Sequence, residues 1–370
     1  MLPTTAESNN NTAGNGQFGS LLRKRKNNKL ILFIILGVIV LCGIGIGVYF
    51  VIGNNKKIPD KKENVNEEVK EEKKVTIIDV DSDTRPYAVM INCHNGALPQ
   101  AGLDKAYMVY ELMVEGGITR MMALFKDTEV DKIGSVRSAR TQYLDYVYEN
   151  DAIYGHAGGA ADALSRIASE GINDVDVDGQ YGFRDTSLDR AWEHKLFTST
   201  KLLGEGTNNR KYRTTTETKS LLKYSAEEID LSKLDVSSIA NNVSIKYSDY
   251  RTSNYTYDSE NKVYLRSMNG TKNVDLVTGE QYKVKNIIIY GVNYSNYCDH
   301  GYCAYQKIDN VGSGDGYYVS GGYSIPITWN KSGKNDKTIY KIKSNGEELV
   351  VNDGNTYIQI YPTSGNLSIN

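Results

Sequence analysis

The run from Leu30 to Ile52 contains no charged residue, and no other feature restricts this chain as strongly. At 1.5 Å of rise per residue, a helix of that length crosses the roughly 30 Å hydrocarbon core of a bilayer. Arg23, Lys24, Arg25, Lys26 and Lys29 stand just before it with no acid among them. A basic flank of this kind keeps its own side of the membrane cytoplasmic. Residues 30–52 are therefore expected to form a single N-terminal transmembrane helix, residues 1–29 a cytoplasmic tail, and everything that follows an extracytoplasmic part. A cleaved signal peptide would have a shorter apolar region. A lipid-attachment site at Cys42 would want a small residue where Leu41 stands. Residues 53–83 mix Lys, Glu, Asp and Asn with few large apolar residues, as in a solvated, charged stalk.

The remaining length suits two domains. In residues 84–232, short apolar runs such as Tyr87–Ile91, Met121–Phe125 and Ala152–His156 read as strands. Leu103–Met113, Thr141–Glu149 and Ala160–Glu170 read as helices. That alternation predicts a layered α/β first domain. In residues 237–370, short runs rich in Tyr, Val and Ile recur between turn residues such as Asn269-Gly270 and Asn345-Gly346, which predicts a mostly β second domain. The 28 tyrosines against six phenylalanines suit half-buried β surfaces, where the ring packs and the hydroxyl stays wet. A net charge of −2 argues against nucleic acid as a partner, because phosphate neutralisation needs a basic excess.

Nearly all candidate chemistry lies in the first domain. Glu111 and Glu115 are four apart and would share a face if Leu103–Met113 were helical. Held close, they could split their pKa values for acid–base work; the plainer reading is two solvated acids near a helix end. Arg120, Arg137 and Arg140 are forks that either clamp an anion or close internal ion pairs. His156 ends a strand before Gly158-Gly159 and a helix, with no phosphate-loop lysine following. Arg184, Asp185 and His194 form a second acid–base group in a loop-like stretch. Spacings typical of a metal site or a serine-hydrolase elbow are missing, and neither metal nor cofactor is expected. Cys298 and Cys303, five apart in a β loop outside the cytoplasm, are disulfide candidates.

Taken together, the runs Arg85–Asn92, Gln100-Ala-Gly-Leu103, Val109-Tyr-Glu111, Glu115-Gly-Gly-Ile-Thr-Arg120, Val136-Arg-Ser-Ala-Arg140, His156-Ala-Gly-Gly159, Arg184-Asp185 and Thr198-Ser199 resemble those of the bacterial YerB lipoprotein family. Gly312–Trp329 and Gly354–Pro362 extend the resemblance into the second half. It implies an extracytoplasmic, two-domain protein of unknown function, in a family often lipid-anchored and associated with penicillin-binding proteins and wall synthesis. The expected function is thus a membrane-anchored binding or scaffold protein of the cell envelope, with a penicillin-binding protein or peptidoglycan glycan as partner. The competing expectation is an enzyme acting on an envelope glycan or peptide, with Glu111 or Glu115 and His156 as acid and base and Arg137 and Arg140 as anion clamp. In either case Glu115, Arg120, Arg137, Arg140, His156 and Asp185 are expected to line a cleft at strand ends.

Overall fold

Tyr87–Asn92 (β1), Met108–Met113 (β2) and Thr119–Phe125 (β3) are short, apolar and almost wholly buried, as strands must be when both faces of a sheet are covered. In the computed structural model, which describes residues 73–218 and 220–370, they are the middle of an eleven-stranded sheet. β3 lies antiparallel between β1 and β2. Beyond β1 come Ile153–His156 and Asp174–Asp176, each parallel to its neighbour. Beyond β2 the sheet continues without interruption into the C-terminal half. Thr356–Pro362 pairs with β2 in parallel, then Asn286–Val292, Gly312–Ser320 and Tyr323–Lys331 follow.

This architecture corrects the α/β expectation. Strands hold 44% of the described residues and helices 15%. Among the described residues the α-helices are Thr141–Glu149 (α1), Ala161–Glu170 (α2) and Thr200–Asn209 (α3). The helix expected over Leu103–Met113 is instead a 3-10 turn, Leu103–Lys105, followed by β2. An apolar run buried on both faces carries no alternation to mark it as a strand, and the helical spacing of Leu103, Ala106, Val109 and Tyr110 arose without a helix. The expected transmembrane helix, residues 30–52, and the tail lie outside the described residues, as does most of the stalk. Among the described residues no helix is long and apolar enough to cross a membrane.

Alternation along each central strand sends side chains to two cores. Ala88, Met90, Tyr110, Leu112 and Met122 meet Tyr143, Leu144 and Val147 of α1 and Ala163 and Ile167 of α2. Val89, Ile91, Val109, Met121 and Ala123 face Leu203 of α3 and the apolar residues of a second sheet, among them Val243, Ile245, Tyr255 and Tyr264. Each fully buried aliphatic side chain contributes about 1.5–3 kcal/mol, so the shared sheet binds the two halves of the sequence together. A hairpin of Tyr294–Asp299 and Tyr302–Ile308, closed by the Cys298–Cys303 disulfide, reaches from the C-terminal half to α1 and α2.

Candidate functional site

Because β1, β2 and Ile153–His156 run in one direction, their carboxyl ends lie along one rim of the sheet with the first residues of β3. The segment Ser135–Arg140 is laced across this rim. Asn92 N–H donates to Ser135 O at 2.9 Å, Arg137 N–H to Met90 O at 3.0 Å and Ala157 N–H to Arg137 O at 3.1 Å. Arginines from a loop and a strand are thereby carried to the same place as Glu115, which follows β2.

Glu115 is shared by two arginines. Arg140 donates from Nε to Oε2 at 2.8 Å and from Nη2 to Oε1, while Arg120 Nη2 reaches Oε1 at 3.0 Å. Burial pushes the Glu115 carboxyl up, but the Arg140 bonds and the two guanidinium charges outweigh it and hold the group at about 2. Arg120 is itself pushed down to about 10 by burial and by the like charge of Arg140. Its Nη1 donates to Ser138 O at 2.5 Å. Arg140 also lies over the ring of Tyr305 at 5.4 Å, so the disulfide hairpin closes one side of the cluster.

Arg137 is different. It is half-buried beside these groups, and among the described residues its guanidinium makes no hydrogen bond or ion pair. Its charge is felt by Arg120, Glu193 and His194. His194 is held against the same rim, where the Asn92 amide donates to Nδ1 at 3.0 Å and His94 stacks on the ring at 4.9 Å. Burial first, then the neighbouring His94, pushes the His194 imidazole below its ordinary range. His156 is fully buried, with Nδ1 at 2.9 Å from Gly158 O and Nε2 at 3.1 Å from Asp174 Oδ2. Both ring nitrogens therefore have an oxygen neighbour within hydrogen-bond distance.

Three sequence candidates lie apart from this rim. Glu111 shares the parity of Val109 on β2, opposite to Tyr110 and Leu112, and points to the second core. There it accepts from Thr119 Oγ1 at 2.7 Å and Ser253 Oγ at 3.0 Å and pairs with Arg266 at 2.9 Å, both charged side chains wholly buried. Burial pushes its carboxyl up, but Arg266 and the hydrogen bonds reverse this and leave it below the ordinary range. It therefore cannot share a face with Glu115, and the expected acid pair does not exist. Arg184 lies over Trp192 at 4.7 Å and pairs with Asp178 at 2.7 Å. Asp185 pairs with Lys132 at 2.5 Å, and the hydrogen bonds from Lys132 and Ser187 hold its carboxyl at about 2.

The sequence reading missed Asn92, His94, Tyr305 and Arg266. The first two directly follow a strand the sequence does mark, and that position is the signal. The last two come from more than 150 residues away, where no spacing connects them. Among the described residues no group of three or more His, Cys, Asp or Glu is placed to hold a metal. The rim can do one thing well: present a cationic, rigidly supported surface with Arg137 as its open fork.

The family models matching this chain are the N-terminal domain of a protein family of unknown function, DUF3048, over residues 75–213, and that family's C-terminal domain over residues 243–358. The chain is 30% identical over 301 residues to a Bacillus subtilis (strain 168) protein, YerB, named as a lipoprotein; the match covers 80% of this chain and 84% of that one. The crystal structure of YerB from Bacillus subtilis superposes with a TM-score of 0.66 at 26% identity, covering 78% of this chain and 94% of the other.

Proposed function

Since the chain belongs to the YerB family of DUF3048 proteins, we propose that it is a membrane-anchored, extracytoplasmic binding protein whose ligand-facing surface is the Arg137 rim. One observation carries this reading: Glu115 and His156 are already engaged by their neighbours, while the Arg137 guanidinium is open. Acid–base catalysis needs a group with a pKa near the working pH and a free atom to reach the substrate. Glu115 at about 2 is locked between two arginines, and His156 has both nitrogens occupied. An open arginine fork, by contrast, suits a carboxylate or phosphate. Such groups are carried by wall polymers and by the surfaces of wall-synthesis enzymes such as penicillin-binding proteins.

The test is co-sedimentation of the full chain, held in a detergent without sugar headgroups, with purified wall sacculi. Arg137→Ala is expected to weaken association about tenfold, the loss of one charge-assisted hydrogen bond, with an unchanged thermal midpoint. Equal binding by Arg137→Ala, or release of soluble fragments from the sacculi by the wild type, would sink the reading.

The location rests on the lipoprotein relative and on the basic cluster before Leu30. Protease added to intact cells with permeable walls is expected to remove the folded part. Protection of that part while the N-terminal tail is cut would reverse the orientation.

A further inference from the structure

Between the disulfide hairpin and helices α1 and α2 lies a cavity of about 210 Å³. It holds roughly seven waters and is smaller than the roughly 300–1,000 Å³ of sites for drug-sized ligands. Its size therefore suits one small ring.

The lining has a definite chemical character. Asp162 Oδ2 accepts from the hydroxyls of Thr141 and Tyr297, each at 2.6 Å, while its Oδ1 is buried without a donor. Gln142 donates from Nε2 to Met113 O at 3.3 Å, Gln306 from Nε2 to Asn296 Oδ1 at 2.6 Å, and Asn310 from Nδ2 to Asp145 Oδ2 at 2.9 Å. In all three the amide nitrogen is used and the amide oxygen has no donor among the described residues. Arg166 is spent on Thr141 O, Asp145 and Glu170, so the interior has no free cation for an anionic ligand. Lys307 and Lys334 are exposed at the edge. A site with several open acceptors and few open donors calls for a ligand with several hydroxyl donors.

The second observation is aromatic. Tyr297, which lines the cavity, stacks on Tyr305 with centroids 5.6 Å apart, and Tyr302 meets Tyr305 edge-on at 5.0 Å. Tyr302 is 47% exposed. Three tyrosines thus step outward from the polar cavity along a hairpin that the disulfide makes rigid. Ring faces offer apolar contact area with little loss of side-chain freedom. The C–H faces of a pyranose match them, while its hydroxyls match the amide oxygens.

We infer that this cavity is a subsite for a single uncharged pyranose ring, with the exposed Tyr302 carrying the following unit of a glycan chain. It deepens the binding-protein reading, on which it rests for its external location. It lies on the hairpin side of the Arg140 cluster and uses none of the groups assigned to the Arg137 rim.

The experiment is saturation-transfer NMR on the full chain in a detergent without sugar headgroups, with N-acetylglucosamine and its β-1,4-linked trimer as probes. Saturable transfer to both sugars is expected. Gln306→Ala should weaken both by about tenfold, as expected for lost polar contacts in a small site. Tyr302→Ala should weaken the trimer and spare the monosaccharide. Trp192→Ala, which removes another exposed aromatic, should change neither, and Arg137→Ala should leave both intact. No transfer to either sugar from the wild type, or equal losses in Trp192→Ala and Tyr302→Ala, overturns the subsite. Sacculus binding that depends on Arg137 would survive such a failure, so the two readings fail separately.

Discussion

Glu111→Ala is expected to lower the stability of the folded unit by about 3–5 kcal/mol, the cost of stranding a buried charge. Glu111 and Arg266 are fully buried and pair at 2.9 Å across the interface between the central sheet and the second sheet. Removing the carboxylate leaves Arg266 with Asn273 and Ser253 as hydrogen-bond partners and no counter-charge. Arg266→Ala should cost a similar amount, because Glu111 would then keep only Thr119 and Ser253 as donors. The pair as a whole is expected to be worth far less, since desolvation offsets most of the attraction. Glu111→Leu combined with Arg266→Met should therefore recover most of the loss. Urea unfolding followed by the fluorescence of the buried Trp329 measures all four proteins. A single-variant loss below about 1 kcal/mol, the size of an exposed pair, would mean that water reaches this site and that Glu111 is not a structural charge.

The same pair marks where the sequence stops being legible. Glu111 and Arg266 are 155 residues apart, and no periodicity or spacing relates them. Local signals were readable where one face of an element is wet. α2 buries Ala163 and Ile167 and exposes much of its other side, and Gly171 ends it with a positive φ of 68°, as a left-handed cap requires. β2 was misread because both of its faces are covered, and that error carried Glu111 to the wrong side of the sheet. The strand-end rule performed differently residue by residue. Glu115, Arg120 and Arg140 meet directly and Arg137 lies beside them, because strands entering from several places in the sequence end along one rim. Arg184 and Asp185 follow a two-residue strand, Phe183–Arg184, in a small separate sheet, and they pair locally. The hairpin tyrosines were read only as β surface, since nothing in the sequence places Tyr305 under Arg140.

Glu115→Gln is expected to destabilise the protein at neutral pH by about 3 kcal/mol, and the difference from wild type should shrink as the solution is acidified. Its carboxyl lies at about 2 in the folded protein against an ordinary 4.5, and a depression of that size corresponds to about 3 kcal/mol. The sign follows from linkage: a depressed carboxyl contributes fully above its unfolded pKa and loses that contribution as pH falls through the folded one. The wild-type advantage should accordingly be constant above pH 5, decline between about pH 5 and 2, and disappear below. The cause is specific. Without the carboxylate, Arg120 and Arg140 face each other as like charges in a largely buried place, and Arg120 is already pushed down by that neighbour. Arg140 also supports Tyr305, so the disulfide hairpin should loosen with it, and faster hydrogen exchange of the Tyr302–Ile308 amides should accompany the loss. A variant that differs from wild type by the same amount at pH 3 and pH 7 would show that Glu115 acts by packing, and that its shared ion pair contributes nothing to holding the rim together.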